Sequence, residues 1–291
     1  MLIDIHTHTF PSPMAAPTIE KLKRQCHTTA FTDGTTAQLR ASMAKVGVDY
    51  SLVLPVATNI RQVRKINDVS GRLHSHYRET GVLSLGGMHP DFPDYKEELA
   101  RIKEMGMPGI KLHPVYQGVD YDDPRYLRIL DRAAELGLFV LVHGGRDVGF
   151  PERVNITPAM ILHTVKEIGD YPVIVAHMGG WHQWDQVEEL LVDTKVCLDT
   201  AYALGRIHPL GDGFYGPNDL PMMQSEQFVR MVREFGAERI FWGTDSPWRD
   251  QQESLDLLLQ QPLTDEEKQL ILGGNAQRLL GLTEPPKKSV N

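Results

Sequence analysis

The chain has 291 residues, of which 41% are hydrophobic and 23% charged, a balance typical of a folded globular protein rather than a disordered one. The formal net charge of −8 argues against a nucleic-acid partner, because such proteins usually carry a basic surface. The sequence has two cysteines, no apolar run long enough to cross a membrane and no basic secretory leader. We therefore expect a cytoplasmic protein without a disulfide framework.

Short β-rich segments recur along the chain, and most of them are almost continuously apolar. They lie at Leu2–Ile5, Tyr50–Pro55, Val82–Gly86, Gly109–Leu112, Leu138–Val142, Val173–Ala176, Val196–Leu198 and Arg239–Trp242. Unbroken apolar strands of this length are typical of a parallel sheet that is covered on both faces.

Segments with helical spacing of apolar residues separate these strands. They are predicted at Thr36–Lys45, Asn59–Arg78, Asp94–Met105, Asp123–Leu136, Thr157–Ile168, His182–Val192, Ser225–Phe235 and Gln251–Gln260. A last helical stretch, Thr264–Leu280, is expected to break at the glycine pair Gly273-Gly274. Alternating strands and helices in a chain of this length predict a closed (β/α)₈ TIM barrel with a C-terminal helical extension.

We expect the barrel to be a single domain over residues 1–283, followed by a flexible tail over residues 284–291. An open, doubly wound sheet is the alternative, and it is disfavoured because His-Thr-His follows the first strand in place of a glycine-rich phosphate loop. Two connections, Thr9–Thr35 and Thr200–Gln224, are too long to be simple turns. Long loops after barrel strands lie at the C-terminal face and usually carry function.

Polar side chains stand at the ends of the predicted strands: His6, His8, Lys111, His143, His177 and Asp245. Since the C-terminal ends of barrel strands converge on one face, these residues are expected to be neighbours in space. His6 and His8 share one face of a strand, so both imidazoles can reach a single metal ion. The same His-x-His motif at His74 and His76 falls inside a predicted helix, where positions two apart point in different directions. We assign that second pair a structural role.

Other candidate residues lie on the loops after the strands. We predict that Tyr116, Arg146, Trp181 and Arg249 contact the substrate, with arginine suited to a substrate carboxylate. For His113 the sequence favours equally a role in supporting the site and a role in a turn.

The motifs around these positions resemble those of the amidohydrolase superfamily. They are the DIHTH start, the segments GIKLHP, VHGG, VAHMGG and GTDSPW, and the closing run ILGGNAQRLLGL. The resemblance covers nearly the whole chain. It is closest to the amidohydrolase-related branch that contains aromatic-acid and aminocarboxymuconate-semialdehyde decarboxylases.

The resemblance implies a barrel that holds one divalent metal ion, with Zn²⁺ expected and Mn²⁺ as the alternative. The implied ligands are His6, His8, His143 and Asp245. His177 would be a further ligand or a catalytic histidine beside the metal, and Asp245 would also accept a proton from the metal-activated water.

The number of metal ions is left open by the resemblance. Relatives with two metals carry a carboxylated lysine or a glutamate on the fourth strand, and this chain has Lys111 there. A carboxylated Lys111 would be a metal ligand. An unmodified Lys111 would instead pair with an acid or bind a substrate carboxylate.

Three functions remain compatible with the sequence. The leading expectation is a metal-dependent hydrolase that uses a metal-activated water on a small amide, ester or lactone. The alternative is a metal-dependent, non-oxidative decarboxylase of an unsaturated or aromatic acid. A barrel that binds a ligand without catalysis comes third, and the intact set of metal ligands counts against it. The expected partner is a small molecule, and a homodimer is compatible with the sequence.

Overall fold

The computed structural model describes residues 1–169 and 171–287, and short parallel strands form its centre. The strands are β1 (Ile3–Thr7), β2 (Tyr50–Val53), β3 (Val82–Ser84), β4 (Gly86–Gly87), β5 (Gly109–Leu112), β6 (Phe139–Val142), β7 (Val173–Val175), β8 (Cys197–Asp199) and β9 (Ile240–Phe241). Each strand pairs in parallel with its neighbour in sequence, in the orders β1-β2-β3 and β4 through β9. The strands are almost wholly buried, as their apolar sequences predict.

Hydrogen bonds across two gaps complete the barrel. β3 and β4 are two parts of one barrel strand that is interrupted at Leu85, whose N–H donates to the Val53 carbonyl at 3.0 Å. β9 and β1 meet where the Ile5 N–H donates to the Trp242 carbonyl at 3.0 Å. The predicted eight-unit TIM barrel is therefore confirmed, and the open sheet is excluded.

Helices surround the strands: α1 (Ser12–Cys26), α2 (Thr36–Val46), α3 (Val63–His74), α4 (Tyr77–Thr80), α5 (Tyr95–Glu104), α6 (Pro114–Gln117), α7 (Pro124–Glu135), α8 (Pro158–Ile168), α9 (Trp184–Leu191), α10 (Ser225–Phe235), α11 (Gln251–Leu259), α12 (Asp265–Gln269) and α13 (Asn275–Leu280). The single helix predicted over Asn59–Arg78 is wrong, because the structure divides it into α3 and α4. The chain turns after His74, whose buried imidazole Nδ1 accepts a hydrogen bond from the Ser84 N–H at 3.3 Å.

The long connection Thr9–Thr35, expected to be a loop, contains a helix, because α1 occupies its centre. This helix was not predicted because its sequence contains prolines, which usually indicate a loop. Pro11 and Pro13 lie at or before its first turn, where a missing N–H costs no helical hydrogen bond, and Pro17 lies inside it. The buried side chains of Ala15 and Ile19 fix the helix against the rest of the protein.

The C-terminal extension runs through a π-helical turn at Leu270–Gly274 directly into α13, so the predicted break at the glycine pair is wrong. Gly273 serves close packing instead, since a Cβ there would overlap the Met1 carbonyl oxygen. At the start of the predicted tail, the Glu284 carbonyl accepts a hydrogen bond from the Tyr50 hydroxyl at 3.0 Å. The end of that tail, residues 288–291, lies outside the described residues. No helix in the described ranges is long and apolar enough to cross a membrane.

Candidate metal centre

The structure brings most of the predicted site residues to one cavity of about 960 Å³ at the C-terminal ends of the strands. Its lining includes His6, His8, Lys111, Tyr116, His143, Arg146, His177, Trp181 and Asp245. Arg249 lies outside this lining. Its Nη2 donates to the Arg206 carbonyl at 2.8 Å, and its guanidinium lies 5.5 Å from the ring centre of Tyr202, which does line the cavity.

His6, His8 and Asp245 form the tightest group at the cavity floor. The Asp245 Oδ1 lies 3.1 Å from the His8 Nε2 and 3.6 Å from the His6 Nε2. Asp245 has a left-handed backbone conformation, with φ of 64°, which is uncommon for a residue other than glycine. The hydrogen bond from its N–H to the His6 carbonyl, 2.8 Å long, fixes this conformation and ties the end of the barrel to its first strand.

The ring nitrogens that point away from the cavity determine where each imidazole carries its proton. His8 Nδ1 lies 2.8 Å from the Leu54 carbonyl, His177 Nδ1 lies 2.9 Å from the Ala201 carbonyl, and His143 Nε2 lies 3.2 Å from the Arg146 carbonyl. A carbonyl oxygen only accepts, so each of these nitrogens bears the hydrogen. His6 follows the same pattern, because its Nδ1 donates to the Asp199 carboxylate at 2.8 Å.

Each histidine therefore turns an unprotonated nitrogen toward its neighbours in the cavity. His143 Nδ1 and His177 Nε2 lie 3.1 Å apart, and with the other nitrogens protonated, neither has a hydrogen to donate to the other. Two facing lone pairs are unfavourable unless a cation lies beside them. Metal-binding histidines characteristically donate their other N–H to a carbonyl or carboxylate in this way. The ligand atoms of His6, His8 and Asp245 lie within 4.8 Å of one another and so fit a divalent metal ion, and the lone pairs of His143 and His177 face the same cavity.

Burial keeps these imidazoles in the form that binds metals. Burial lowers the pKa of His6, His143 and His177, so the neutral ring with a free lone pair is favoured. For Asp245, burial acts to raise the pKa, whereas positive charge on His6 and a hydrogen bond from His8 lower it by more, so the net pKa lies well below the usual range for a carboxyl group. A metal ion held by the neutral imidazoles would supply that positive charge in their place. Asp245 is therefore an ionised ligand candidate.

A second group of similar composition lies beside the first. The Asp147 Oδ2 is 3.6 Å from the His113 Nε2 and 3.9 Å from the His143 Nε2. His113 Nδ1 accepts a hydrogen bond from the Tyr116 N–H at 3.4 Å, so the proton of a neutral His113 is on Nε2. Both imidazoles thus face Asp147 with N–H groups rather than lone pairs. At these distances Asp147 interacts electrostatically with the two N–H groups without a hydrogen bond, so this second group fits polar support for His143 better than another metal ion.

Asp147 was not among the residues predicted from the sequence, and the role of His113 was left open between support of the site and a turn. Asp147 lies on the loop after β6, four positions beyond His143, where strand-end reasoning does not reach. The His113 ring stacks on His143, with ring centres 4.1 Å apart and planes 12° from parallel. His113 therefore supports the site and also accepts a backbone hydrogen bond at the start of α6.

Lys111 is a buried, positively charged residue in the cavity. Its side chain is only 1% exposed, and its Nζ has no hydrogen-bond partner among the described residues. Burial lowers the pKa of its ammonium group to about 8, against the opposing influence of the carboxylates of Asp199, Asp245 and Asp147. A buried cation without a hydrogen-bond partner is costly unless an anion joins it, so this part of the cavity is suited to a negatively charged ligand.

Comparisons with known proteins identify the family of the chain and structures with a similar fold. The family model described as Amidohydrolase matches residues 3–282. The structure of 5-carboxyvanillate decarboxylase from Sphingomonas paucimobilis is 16% identical and has a TM-score of 0.64, covering 97% of this chain and 99% of that one.

Two further structures match over 97% or more of both chains. A dihydroxybenzoic acid decarboxylase from a Polaromonas species, with bound manganese and 2-nitroresorcinol, is 14% identical with a TM-score of 0.68, covering 98% of each chain. A structure titled as a possible 2-pyrone-4,6-dicarboxylic acid hydrolase from Pseudomonas putida is 16% identical with a TM-score of 0.62, covering 97% of this chain and 98% of that one. The comparison with curated protein sequences gives no match.

Proposed function

Because the chain belongs to the amidohydrolase family, we propose that it is a metal-dependent, non-oxidative decarboxylase of an unsaturated or aromatic acid. The observation that carries the proposal is Lys111, a buried cation without a hydrogen-bond partner among the described residues, in the same cavity as the metal ligand candidates. A decarboxylase substrate always brings a carboxylate, which is the partner that Lys111 lacks. Two decarboxylases among the matching structures support this choice over the hydrolase that the sequence favoured first.

One divalent ion would be held by His6, His8, His143, His177 and Asp245. It would supply Lewis-acid polarisation of a substrate oxygen. Imidazole ligands suit Zn²⁺, whereas a carboxylate also suits Mn²⁺, and manganese is the ion named for the Polaromonas decarboxylase. We propose a single ion of either kind.

Lys111 and the cavity walls would orient the acid. The ammonium group pairs with the carboxylate in a charge-assisted hydrogen bond, which is stronger than a neutral one. Tyr116, Arg146 and Trp181 line the same cavity and are the proposed contacts to the rest of the substrate. The Trp181 indole N–H has no partner within the described part of the chain, so it can donate to a substrate oxygen.

Asp245 would move the proton that decarboxylation requires. Its carboxylate is ionised, so it first takes a proton from an acidic hydroxyl of the substrate or from water. The carbon–carbon bond to the carboxylate then breaks, CO₂ leaves, and the electron pair stays on the ring or vinyl carbon. That carbon takes the proton from Asp245, which restores the Asp245 carboxylate for the next turnover.

Product analysis in heavy water tests the proposal. The metal-loaded protein is incubated in D₂O with a panel of hydroxylated benzoates and, separately, with a pyrone lactone. The expected result is one CO₂ released per molecule of acid consumed, with one deuterium on the carbon that carried the carboxylate. Incorporation of ¹⁸O from labelled water into the product without CO₂ release would overturn the decarboxylase and establish the hydrolase.

The hydrolase stays as the second candidate because of one feature of the site. An ionised Asp245 within 3.1 Å of the His8 Nε2 can accept a proton from an attacking water as well as from a substrate hydroxyl. The substrate would then be a small amide, ester or lactone, in keeping with the hydrolase named for the Pseudomonas putida structure.

A further inference from the structure

The catalytic cavity extends outward into a groove between two helices. Met14 and Leu22 line it from α1, and Ile66, Val69 and Leu73 line it from α3. The lining residues of each helix recur three or four positions apart, so one stripe of α1 faces one stripe of α3 across the groove. The histidines at the cavity floor belong to the same continuous space.

This space is much larger than a one-ring acid needs. An apolar cavity of roughly 150 Å³ is already enough to hold a benzene molecule. The cavity of about 960 Å³ is several times that size and lies at the upper end of the range for ligand pockets. The metal ligand candidates and Lys111 occupy one part of it, so the groove is left for a part of the ligand that takes no part in the reaction.

The groove is apolar, and the charges on its helices are positive. Met14 is 58% exposed and Val69 is 38% exposed, although both side chains are hydrophobic. The charged side chains that α1 and α3 contribute to the lining are Lys21 and Lys65, both cations. An apolar channel with positive charges on its walls that ends at another cation, Lys111, suits an amphipathic anion.

We infer that the substrate is an acid whose carboxylate lies beside Lys111 and whose apolar body, larger than a single ring, occupies the groove between α1 and α3. This inference rests on the proposed function, because that function places the carboxylate in the catalytic cavity. Continuity with the catalytic cavity identifies the occupant as the substrate's own apolar body rather than a second copy of the chain. The groove then selects for the length of the acid, separately from the chemistry at Asp245.

Matched pairs of acids test the inference on the metal-loaded protein. Benzoate is compared with biphenyl-4-carboxylate, and butanoate with octanoate, by isothermal titration calorimetry. We expect the longer acid of at least one pair to bind about tenfold more tightly, since burial of a side-chain-sized apolar group is worth at least that factor. Equal affinities within both pairs would overturn the inference.

Charge placed in the groove gives the second readout. The double variant Met14→Glu with Val69→Glu changes two exposed positions, so we expect it to fold. Leu259→Glu on α11, at 46% exposure and outside the lining, is the control. The double variant is expected to abolish the preference for the longer acid while leaving benzoate binding nearly unchanged, and the control is expected to keep the preference. A preference that survives in the double variant would overturn the inference. The inference would also be overturned if the wild-type and control proteins are dimers in analytical ultracentrifugation and only the double variant is a monomer.

Failure of the groove can be told apart from failure of the proposed function. Lys111→Met removes the proposed carboxylate partner and is expected to weaken both members of a pair by the same factor. If benzoate binding is insensitive to Lys111→Met but the preference for length remains, the proposed carboxylate contact is wrong and the inference about the groove is supported. If Lys111→Met weakens the binding of both acids and the wild-type protein shows no preference for length, only the inference about the groove is wrong.

Discussion

Replacing Lys111 by methionine removes a buried charge and keeps an unbranched side chain of similar length. The Lys111 Nζ has no hydrogen-bond partner among the described residues, so the substitution breaks no hydrogen bond within them. The usual result of a substitution in a protein core is lower stability. Here we expect the opposite in the metal-free protein, because the charged form of Lys111 is unfavourable in the folded state.

The size of the effect follows from the pKa of Lys111. Burial lowers this pKa from 10.5 to about 8, and this net value already includes the attraction of the nearby carboxylates. At roughly 1.4 kcal/mol per pKa unit, the charged lysine costs the folded state about 3 kcal/mol. Below pH 8 the group is protonated in both the folded and the unfolded protein, so the full cost applies at neutral pH.

The cost disappears as the pH rises through the folded pKa. Above about pH 8 the folded protein releases the proton while the unfolded chain keeps it up to the ordinary lysine pKa of 10.5. The unfolded state then binds more protons, so the stability of the wild-type protein rises with pH relative to the variant. Lys111→Met is therefore expected to be more stable by about 3 kcal/mol near pH 7, with a gap that narrows toward pH 10.

Urea unfolding of the two metal-free proteins, followed by circular dichroism at neutral and at alkaline pH, measures this gap. Lys65→Met, at an exposed position on α3, is the control and should change stability by less than about 0.5 kcal/mol at either pH. A Lys111→Met protein that is less stable than wild type near pH 7, or a gap that does not depend on pH, would refute the reasoning. Either result would mean that the ammonium group is well satisfied in the folded protein.

Three further outcomes follow from the metal centre. Wild-type protein is expected to hold one divalent ion per chain by plasma mass spectrometry, and His6→Ala with His8→Ala should lose it, whereas His76→Ala on the protein surface should keep it. Asp147→Asn is expected to keep the ion but bind it about tenfold less tightly in a chelator titration, because a group that supports a ligand typically costs 10- to 100-fold when changed; complete loss of the ion would make Asp147 a ligand itself. Asp245→Asn in saturating metal is expected to slow product formation by about 10²- to 10⁴-fold, as for other proton-transfer groups, and an unchanged rate would remove Asp245 from the proton path.

The barrel and the convergence of its strand-end residues could be predicted because both depend on local patterns and on a simple topological rule. Apolar strands that alternate with helices specify the order of the sheet, and parallel strands bring residues as distant as His6 and Asp245 to one face. Loop conformation is different, because tertiary contacts decide it. Arg249 follows the last strand as Asp245 does, yet its side chain packs behind Tyr202 instead of lining the cavity. Asp147 lies on a loop, and the conformation of a loop cannot be predicted from the periodicity of apolar residues.

Proton positions distinguish two groups that composition alone makes equivalent. Each contains two histidines and one aspartate close enough together to hold an ion: His6, His8 and Asp245 in one, and His113, His143 and Asp147 in the other. The backbone around them decides which can do so. The Leu54 carbonyl accepts a hydrogen bond from the Nδ1–H of His8, which leaves the Nε2 of His8 unprotonated. The Tyr116 N–H instead donates to the Nδ1 of His113, so the proton of a neutral His113 is on Nε2 and faces Asp147.

His143 links the second group to the first through His177. Its Nε2 proton points toward the Arg146 carbonyl and Asp147, and its Nδ1 faces His177 in the metal ligand set. One imidazole cannot offer a lone pair on both sides while it keeps its proton. A second ion beside Asp147 would require His143 to give up that proton and His113 to change its tautomer against a backbone donor. For this reason we propose a single ion, in which case Lys111 would have no second metal to bridge and would pair with the substrate.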